Sequence, residues 1–355
     1  MLFVGTPIDC FRITSIKVRW IMKRPNLPAL GLELSRRTVL GAALSAPFVL
    51  KARAQEYPTR NPRLIVPFAA GGPTDTLTRI AAERVSPLLG QQAVVENRAG
   101  AGGNIAGELV ARTDADGYTL LVAGQAILAI NKALYKKISY DPATDFTFIG
   151  MLGVIANVLL VNPKTVPVNS VAELIDLAKK KPGEISYGSN GPGSLTHLTT
   201  AIMAHQAGIE LLHVPYQGAA PLTTDLLAGR IGMTFTAASA AMPLVRSGQL
   251  RALAVTTGKR SRFSPELPTL VESGFPTLDA PTWFGVVARS KTPAPILAKL
   301  RKDFNTVITS EDYAKALEKQ SIEIMVVPPE TSDEFLAKER KLWSDAVKVT
   351  GVSLD

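Results

Sequence analysis

The sequence has few of the residues that carry covalent or metal chemistry. Among 355 residues it contains one cysteine, Cys10, and three histidines. His197 and His205 fall about 80° apart on a helix, and His213 lies beyond the end of that helix, so the three do not share a face. No HExxH string occurs. An intramolecular disulfide is therefore excluded, and no metal site is indicated.

The sequence motifs of common enzyme classes are also absent. No GxSxG nucleophile turn and no GxxxxGK[ST] phosphate loop occur. Gly100 and Gly102 begin a dinucleotide fingerprint, but Ile105 stands where its third glycine is required. The acidic residues are scattered along the chain and suggest no acid–base pair. We therefore expect no catalytic residues, no metal and no cofactor.

The excess of positive charge is confined to the N-terminal segment. Residues 1–54 hold nine lysines and arginines against two acidic residues, whereas the remaining residues hold 30 basic and 28 acidic groups. Aromatic residues make up only 6% of the chain. A nucleic-acid-binding protein needs a basic surface, usually with aromatic side chains for stacking. We therefore expect no nucleic-acid partner.

The N-terminal segment has the pattern of an export signal. Arg36 and Arg37 directly precede an uncharged run of thirteen residues, 38–50, and Ala52 and Ala54 form the small-x-small pattern that signal peptidases cleave. The paired arginines resemble a twin-arginine signal, so we expect export to the periplasm and cleavage after Ala54. An uncleaved anchor is the alternative, although thirteen residues are too few to span a bilayer stably.

Two further points concern the leader. Cleavage after Ala54 would remove Cys10, and the mature protein would then contain no thiol nucleophile. Translation starts at either Met1 or Met22, because the residues before Met22 read like neither a signal nor a domain, and signals longer than about 30 residues are unusual.

The rest of the chain has the composition of a globular protein, with 46% hydrophobic and 19% charged residues, and is long enough for two domains with cores of their own. Short apolar runs alternate with amphipathic segments, which is typical of α/β layers with mainly parallel sheets. The predicted strands are residues 63–68, 93–96, 119–123, 146–151, 158–161, 185–187, 211–214, 231–236, 252–255, 283–288 and 322–327. The predicted helices include residues 171–180, 195–207, 221–228, 241–247, 293–308, 311–319 and 331–349.

Three glycine-rich turns join predicted strands to predicted helices. They are PFAAGGPTDTLTR at 67–79, ENRAGAGGNIAG at 96–107 and YGSNGPGS at 187–194. Glycines leave backbone N–H groups open to a ligand at the start of a helix, where the helix dipole favours an anion. A tight turn without a ligand is the alternative for each turn taken alone. Three such turns in one chain favour a shared binding cleft.

Five strings of the sequence are typical of one family. They are PFAAGGPTDTLTR, VENRAGAGGNIAGELVARTDADGYTLL, ISYGSNGPGSLTHL, VPYQGAAPLTTDLLAGRI and SGQLRALAVTTGKRSRFSPELPTLVESGFP. They follow one another in order, and the resemblance extends over nearly all of residues 57–350. On these strings the chain resembles the Bug family, the extracytoplasmic solute-binding receptors of tripartite tricarboxylate transporters.

The resemblance implies a two-domain periplasmic binding protein fold, with mainly parallel sheets flanked by helices and a ligand cleft between the domains. It implies one domain formed by residues 57–158 and 283–355 and another formed by residues 159–282. The cleft would close by a hinge motion on a small carboxylate, which is a di- or tricarboxylate, an acidic amino acid or an aromatic carboxylate in the family.

The resemblance also implies the partners. A monomer would bind the carboxylate without changing it and deliver it to the membrane subunits of a tripartite tricarboxylate transporter. A sensor kinase is the alternative partner, because the sequence does not separate sensing from uptake. The competing class is an exported α/β enzyme that acts on a carboxylate, since the fold alone is compatible with both classes.

The implied ligand contacts lie on loops of both domains. Backbone N–H groups of residues 70–75 would bind one carboxylate, in part through water. Further contacts would come from the turn after strand 119–123, from two loops of the second domain and from the end of strand 231–236. The implied ligand-binding residues are Ala70, Gly71, Gly72, Thr74, Asp75, Gly124, Gln125, Ser189, Asn190, Gly193, Ser194, Gln217, Gly218, Ala219 and Thr236.

Two positions depart from the family pattern. Where relatives commonly have a hydroxyl-bearing turn, this chain has Gly124 and Gln125. The long amide of Gln125 could bond an amide or carboxylate that a serine would not reach. Where many relatives have an acidic residue, Gly232 stands instead.

Five residues have two alternative roles each. Asp75 caps the first helix or contacts the ligand, and Asn131 caps a short helix or contacts the ligand. Trp283 lies in the core or faces the hinge, and Tyr216 fixes its own loop or stacks on the ligand. His197 lies near the cleft or on a helix surface.

Overall fold

The computed structural model describes residues 57–355, and the expected leader, residues 1–54, lies outside this range. The described chain forms two five-stranded sheets with helices packed against them, which confirms the predicted α/β fold. The strands are β1 (Arg63–Val66), β2 (Val94–Asn97), β3 (Thr119–Gly124), β4 (Phe146–Ile155), β5 (Asn157–Val161), β6 (Ser186–Ser189), β7 (Leu212–Pro215), β8 (Met233–Ala237), β9 (Arg251–Val255) and β10 (Thr282–Arg289). The helices are α1 (Pro73–Leu89), α2 (Asn104–Ala111), α3 (Asn131–Leu134), α4 (Val171–Lys180), α5 (Leu195–Ala207), α6 (Ala219–Leu227), α7 (Ala238–Arg246), α8 (Ala294–Ile308), α9 (Glu311–Glu318) and α10 (Ser332–Thr350).

Each sheet combines parallel and antiparallel pairs. The first sheet has the order β2-β1-β3-β10-β4, in which β1 is parallel to β2 and β3, while β10 is antiparallel to β3 and β4. The second sheet has the order β7-β6-β8-β5-β9, in which β6 is parallel to β7 and β8, while β5 is antiparallel to β8 and β9. The sheets therefore contain fewer parallel strand pairs than expected. The antiparallel pairs all involve β10, with which the chain enters the first sheet, or β5, with which it enters the second.

The strands of the first sheet other than β2 are largely buried, because helices cover both of its faces. Neighbouring residues of β1 point to opposite faces, so Leu64 joins a core with α1 and α8, while Ile65 joins a core with α2. Both side chains are 0% exposed. The continuous apolar runs that predicted these strands therefore reflect burial on two faces.

The segment 322–327, predicted as a strand, belongs to neither sheet. Only Glu323 pairs, in a single antiparallel bridge with Val154. Ile322 is buried, but Val326 is 53% exposed. Apolar alternation alone could not show that this segment lacks a partner strand.

The chain passes between the sheets twice. It leaves the first sheet at Ala156, between β4 and β5, and it returns at the start of β10. The side-chain amide of Asn157 donates to Oγ1 of Thr282, at 3.0 Å, and so joins the two passages. Trp283, the next residue, is 1% exposed and lies in the core of the first sheet, which agrees with the first of the two roles foreseen for it.

Helix α10 packs against the cores of both sheets. Its Leu336 lies in the cluster that contains Trp283, whereas its Trp343 lies in the cluster of the second sheet. Glu339 lies between them and accepts hydrogen bonds from the indole N–H of Trp283, at 2.7 Å, and of Trp343, at 3.1 Å. Burial raises the pKa of Glu339 to about 7. Across residues 57–355, no helix combines the length and the apolar character that a membrane crossing requires.

Candidate functional site

A cavity of about 690 Å³ lies between the two sheets, where strands of both sheets end. Phe68 and Gly124 line it from the ends of β1 and β3 in the first sheet. Asn190 and Thr236 line it from the ends of β6 and β8 in the second sheet. Its other lining residues include Asn157 and Thr282, which join the two passages of the chain. Ligands of α/β proteins commonly bind at the carboxyl ends of strands.

Helices from both sides begin at this cavity. The residues that line it include the first residues of α1, of the π-helical turn Ala126–Ile130, of α5 and of α6, and Ala237, which directly precedes α7. The first N–H groups of a helix have no partner within the helix and lie at the positive end of its dipole. Among the described residues that line the cavity there is no Asp, Glu, Lys, Arg or His. The field in the cavity therefore comes mainly from helix ends and backbone groups.

The first glycine-rich turn is held from inside by Asp75, which is only 3% exposed. Its carboxylate accepts the N–H of Gly71 at 2.9 Å, the side-chain amide of Asn97 at 2.9 Å and Nε of Arg79 at 3.0 Å. The N–H of Gly71 is therefore committed to the protein and not open to a ligand, contrary to expectation. Asp75 does not cap α1, because Gly72 is the N-cap. Asp75 is also not among the residues that line the cavity.

The charge state of Asp75 suits this role. Burial alone would raise the pKa of its carboxyl, but hydrogen bonds from Arg79, Gly71 and Asn97 outweigh burial and lower the pKa to about 2. The carboxylate is therefore ionised at any pH above about 4, and it can accept all three hydrogen bonds. Within the turn 67–79, Phe68 and Pro73 line the cavity.

The third glycine-rich turn is held by neutral groups. Ser194 caps α5, because its hydroxyl oxygen accepts the N–H of His197, and the same hydroxyl donates to the carbonyl of Gly191 at 2.6 Å. The N–H of Asn190 donates to Oγ1 of Thr196 at 3.0 Å. These bonds place the start of α5 at the cavity wall.

The stacked rings of His197, His213 and Tyr187 lie next to this turn. The rings of His197 and His213 are parallel within 10° and 4.0 Å apart, and Tyr187 stacks on His213 at 4.9 Å. Nδ1 of His197 accepts the N–H of Gly193 at 3.1 Å, and Nε2 of His213 lies 2.6 Å from the hydroxyl of Ser189. Burial and then the neighbouring His213 lower the pKa of His197 to about 4, so both the acceptor nitrogen and the turn depend on a neutral ring.

Gln125 lines the cavity, and its amide makes two hydrogen bonds within the protein. Its side-chain nitrogen donates to the carbonyl of Pro281, and its oxygen accepts the N–H of Trp283 at 3.1 Å. These two bonds tie the end of β3 to the returning strand β10 and leave one N–H of the amide without a partner among the described residues. Contact between this amide and a ligand stays a prediction. Its neighbour Gly124 must be glycine, because a Cβ there would lie 2.4 Å from the carbonyl oxygen of Trp283.

The predicted site residues separate into two groups. Those that line the cavity are Gly124, Gln125, Asn190, Gly193, Ser194, Ala219 and Thr236. Those that do not line it are Ala70, Gly71, Gly72, Thr74, Asp75, Ser189, Gln217 and Gly218. Gly71 and Pro73 do border a smaller groove of about 270 Å³, which shares Ala237 and Ser239 with the cavity.

Other predicted details are settled by the fold. Asn131 lines the cavity, but its amide donates to the carbonyl of Gly102 at 3.1 Å and to Oδ1 of Asn104 at 2.7 Å, so it is not a helix cap. Gly232 does not line the cavity, and the backbone of Ser186 packs against it. The glycine expected to replace an acidic residue of relatives therefore lies outside the cavity. The hydroxyl of Tyr216 donates to Asp225 at 2.8 Å, which agrees with a role in its own loop.

Several lining residues were not foreseen. Phe68, Leu134 and Leu354 contribute apolar surface. Asn157 and Thr282 line the cavity where the chain passes between the two sheets. Leu354 follows the last helix and lies far in sequence from every glycine-rich turn. No local pattern distinguishes such residues, since they meet only in the folded chain.

Sequence comparison identifies relatives over most of the chain. A family profile described as “Tripartite tricarboxylate transporter family receptor” matches residues 77–352. BugT of Bordetella pertussis (strain Tohama I) is 36% identical over 314 residues, which cover 88% of this chain and 95% of BugT.

Solved structures with the same fold extend this comparison. A protein of R. palustris determined with adipate is 38% identical, with a TM-score of 0.70, over 84% of this chain and 99% of that protein. MatC of Rhodopseudomonas palustris with bound malate is 28% identical, with a TM-score of 0.67, over 82% of this chain and 100% of MatC.

Proposed function

Because the chain belongs to the receptor family of tripartite tricarboxylate transporters, we propose that it captures a small carboxylate in the cavity between its sheets and delivers it unchanged to the membrane subunits of such a transporter. The candidate ligands are di- and tricarboxylates, acidic amino acids and aromatic carboxylates. Two related proteins support this class, since one was determined with adipate and the other with malate.

The convergence of helix N-termini on a cavity whose described lining residues include no charged side chain is the observation that carries the proposal. Backbone N–H groups at helix starts stabilise a carboxylate through hydrogen bonds and through the helix dipole. A receptor must also release its ligand, and neutral donors avoid the very strong pairing that a buried arginine would give. The absence of a nucleophile frame from the sequence agrees with binding rather than turnover.

In this proposal the ligand contacts Gly124, Asn190, Ser194, Ala219 and Thr236, and the turn 70–75 supplies the start of α1. These groups come from both sheets, so bringing the sheets together would enclose the ligand. We propose that residues 57–158 with 283–355 form one closing body and residues 159–282 the other. The passages at Ala156 and Pro281 would then act as the hinge.

The proposal includes the location of the protein. The leader 1–54 would direct a monomer to the periplasm through a twin-arginine-type signal cleaved after Ala54. Cell fractionation and N-terminal sequencing of the exported protein test this part separately from ligand binding. A mature N-terminus at Gln55 is the expected result.

A thermal-shift screen of the exported protein tests the binding function. The panel contains di- and tricarboxylates, acidic amino acids, aromatic carboxylates and, as a control class, nucleotides. A ligand that binds only the folded state, at a hundredfold excess over its dissociation constant, adds about 2.7 kcal/mol to the free energy of unfolding. A shift with carboxylates only is expected. Shifts only with nucleotides, or chemical conversion of any ligand, would contradict a carboxylate receptor.

A further inference from the structure

We propose that the cavity selects a carboxylate with an unsubstituted hydrocarbon body, and that Leu354 forms part of the apolar wall against that body. The inference rests on the proposed carboxylate-receptor function and narrows its ligand class. It disfavours hydroxylated acids and amino acids, which the family relationship leaves open.

Apolar side chains form a large part of the cavity wall. The rings of Phe68 and Phe284 meet edge to face, with centroids 6.3 Å apart, on the side of the first sheet. Leu134, Leu195 and Leu354 add aliphatic surface. A cavity of about 690 Å³ lies in the range of sites for ligands with substantial apolar bodies. Contact with such a body removes apolar surface from water on both partners.

Three of the four amide side chains that line the cavity are bonded within the protein, whereas that of Asn190 makes no hydrogen bond to another described residue. Gln125 is bonded to the backbone of Pro281 and Trp283. Asn131 donates to the 3-10 turn before α2 and to the side chain of Asn104 at its start. The Asn157 amide donates to Thr282. A hydroxyl on the ligand body would therefore meet few unused amide groups.

Three of the six hydroxyl-bearing side chains that line the cavity are engaged within the protein. Ser194 and Thr196 bond to each other and to backbone groups of their own turn, and Oγ1 of Thr282 accepts the Asn157 amide. The hydroxyls of Tyr135, Thr236 and Ser239 make no hydrogen bond to another described residue. Thr236 and Ser239 lie beside the start of α7, where their hydroxyls and the N–H donors suit a carboxylate group.

An amino-acid ligand would lack a counter-charge. No aspartate or glutamate is among the described residues that line the cavity. Burial of an ammonium group without an anionic partner is strongly unfavourable. The electrostatic character of the cavity therefore favours acids that carry negative charge only.

Leu354 is held at the wall by backbone pairing. Its N–H donates to the carbonyl of Leu134 at 2.8 Å, and its carbonyl accepts the N–H of Lys136 at 2.9 Å. Next to it, the side chains of Lys136 and Asp355 form an exposed ion pair at 2.6 Å. A single parallel bridge thus places Leu354 beside Tyr135, and Leu354 and Leu134 both line the cavity.

Titration calorimetry with matched acids tests the ligand class. Adipate is compared with galactarate, which has the same chain and charge but four hydroxyl groups, and glutarate is compared with glutamate. We expect adipate to bind at least about tenfold more tightly than galactarate, because hydroxyl groups against the apolar wall would lose their bonds to water. We expect the same order for glutarate over glutamate.

Leu354→Asn tests the wall, with Leu227→Asn as the matched control on an exposed part of α6, away from the cavity lining. Leu354→Asn should weaken adipate binding about tenfold and leave galactarate unweakened, so the preference narrows. Leu227→Asn should leave both affinities unchanged. Thermal unfolding checks that each variant is folded, and Leu354→Ala replaces the asparagine variant if that one is not.

The outcomes separate this inference from the proposed function. Tighter binding of galactarate or glutamate than of their unsubstituted partners overturns the hydrocarbon-body inference and leaves a carboxylate receptor standing. Failure of every acid to bind overturns the proposed function itself. A preference for adipate that Leu354→Asn does not alter would remove Leu354 from the wall.

Discussion

Two glycine-rich turns of this protein carry similar sequences and bring helix starts to the same cavity, but different chemistry holds them. The turn 70–75 is held by the ionised carboxylate of Asp75, which accepts three hydrogen bonds. The turn 190–194 is held by Ser194, Thr196 and the neutral ring of His197. A glycine-rich string thus predicts where a turn lies but not what fixes its shape.

The difference has a physical consequence. The carboxylate of Asp75 keeps its charge far below neutral pH, because its pKa is lowered to about 2. The ring of His197 accepts the N–H of Gly193 only while Nδ1 is unprotonated. The first turn should therefore tolerate acid that disturbs the third turn.

The largest effect is expected from Asp75→Ala. Gly71, Arg79 and Asn97 would lose a shared charged acceptor, and the free energy of unfolding should fall by about 3 kcal/mol. Denaturant titration at neutral pH measures the loss. Asp312→Ala, which removes an exposed ion pair instead, should change it by no more than about 0.5 kcal/mol. Equal effects of the two variants would show that the carboxylate does not hold the first turn.

Alanine substitutions at Gly193 and Gly71 compare the packing of the two turns. Both glycines have positive φ, +75° and +82°, so alanine is strained at each. A Cβ at Gly193 would also lie 2.5 Å from the buried side chain of Leu134, whereas none of the described atoms lies within 4 Å of a Cβ at Gly71. We expect losses of about 2 kcal/mol for Gly193→Ala and about 1 kcal/mol for Gly71→Ala. Denaturation curves that show the reverse order would contradict this account of the third turn.

The pH dependence of stability should distinguish the two anchors. The pKa of His197 is lowered from 6.5 to about 4, so the unfolded chain takes up a proton before the folded chain does, and stability falls as the pH drops from 6.5 to 4. The corresponding loss for Asp75 begins only below its unfolded pKa of 3.8. Glu339 acts with the opposite sign between pH 4.5 and 7, because its pKa is raised to about 7.

His197→Gln isolates the contribution of the ring. Its side-chain oxygen can still accept a hydrogen bond, so stability at pH 7.5 should fall by only about 1 kcal/mol. The difference between wild type and variant should then shrink and change sign as the pH is lowered to 5, because only the wild type loses stability through this group, by about 2 kcal/mol. Thermal unfolding from pH 5 to 7.5 measures it, and parallel curves would exclude His197 as the acid-sensitive anchor.

The smallest change in stability is expected for Gly72→Val. Gly72 has an extended backbone, with φ −77° and ψ 169°, and a Cβ there would only touch the carbonyl oxygen of Ala69 at 3.5 Å. Stability should change by less than about 0.5 kcal/mol. We expect binding of adipate to weaken about tenfold, since the new side chain stands at the start of α1 beside Pro73. Unchanged affinity would remove this turn from the site, and Gly72→Ala serves as the smaller control.

The elements were largely predictable because their signals are local. The apolar run that predicts β1 is buried on both faces, and the spacing of Leu77, Ala81 and Val85 matches the buried face of α1. The strand predicted at 322–327 failed because pairing requires a neighbour, which the sequence of the segment does not specify.

The candidate site was predictable only in part. Asn190 and Thr236 follow directly from strand ends, and they do line the cavity. Ser189 lies in the same turn, yet its side chain is 0% exposed. Its hydroxyl is hydrogen-bonded to Nε2 of His213 on the neighbouring strand. Gln125 reaches the cavity, but its amide is bound to residues more than 150 positions away.

The sequence by itself determined the α/β alternation, the glycine-rich turns at helix starts and the family, because each depends on residues adjacent in the chain or on strings of them. Tertiary structure decided which polar groups still face the cavity, since hydrogen bonds between distant segments engage Asp75, Gln125 and Ser189 before any ligand arrives. It also decided that Leu354 lies at the wall. Hydrogen-bond partners and apolar contacts are set by distance in space, and only the folded chain brings these groups together.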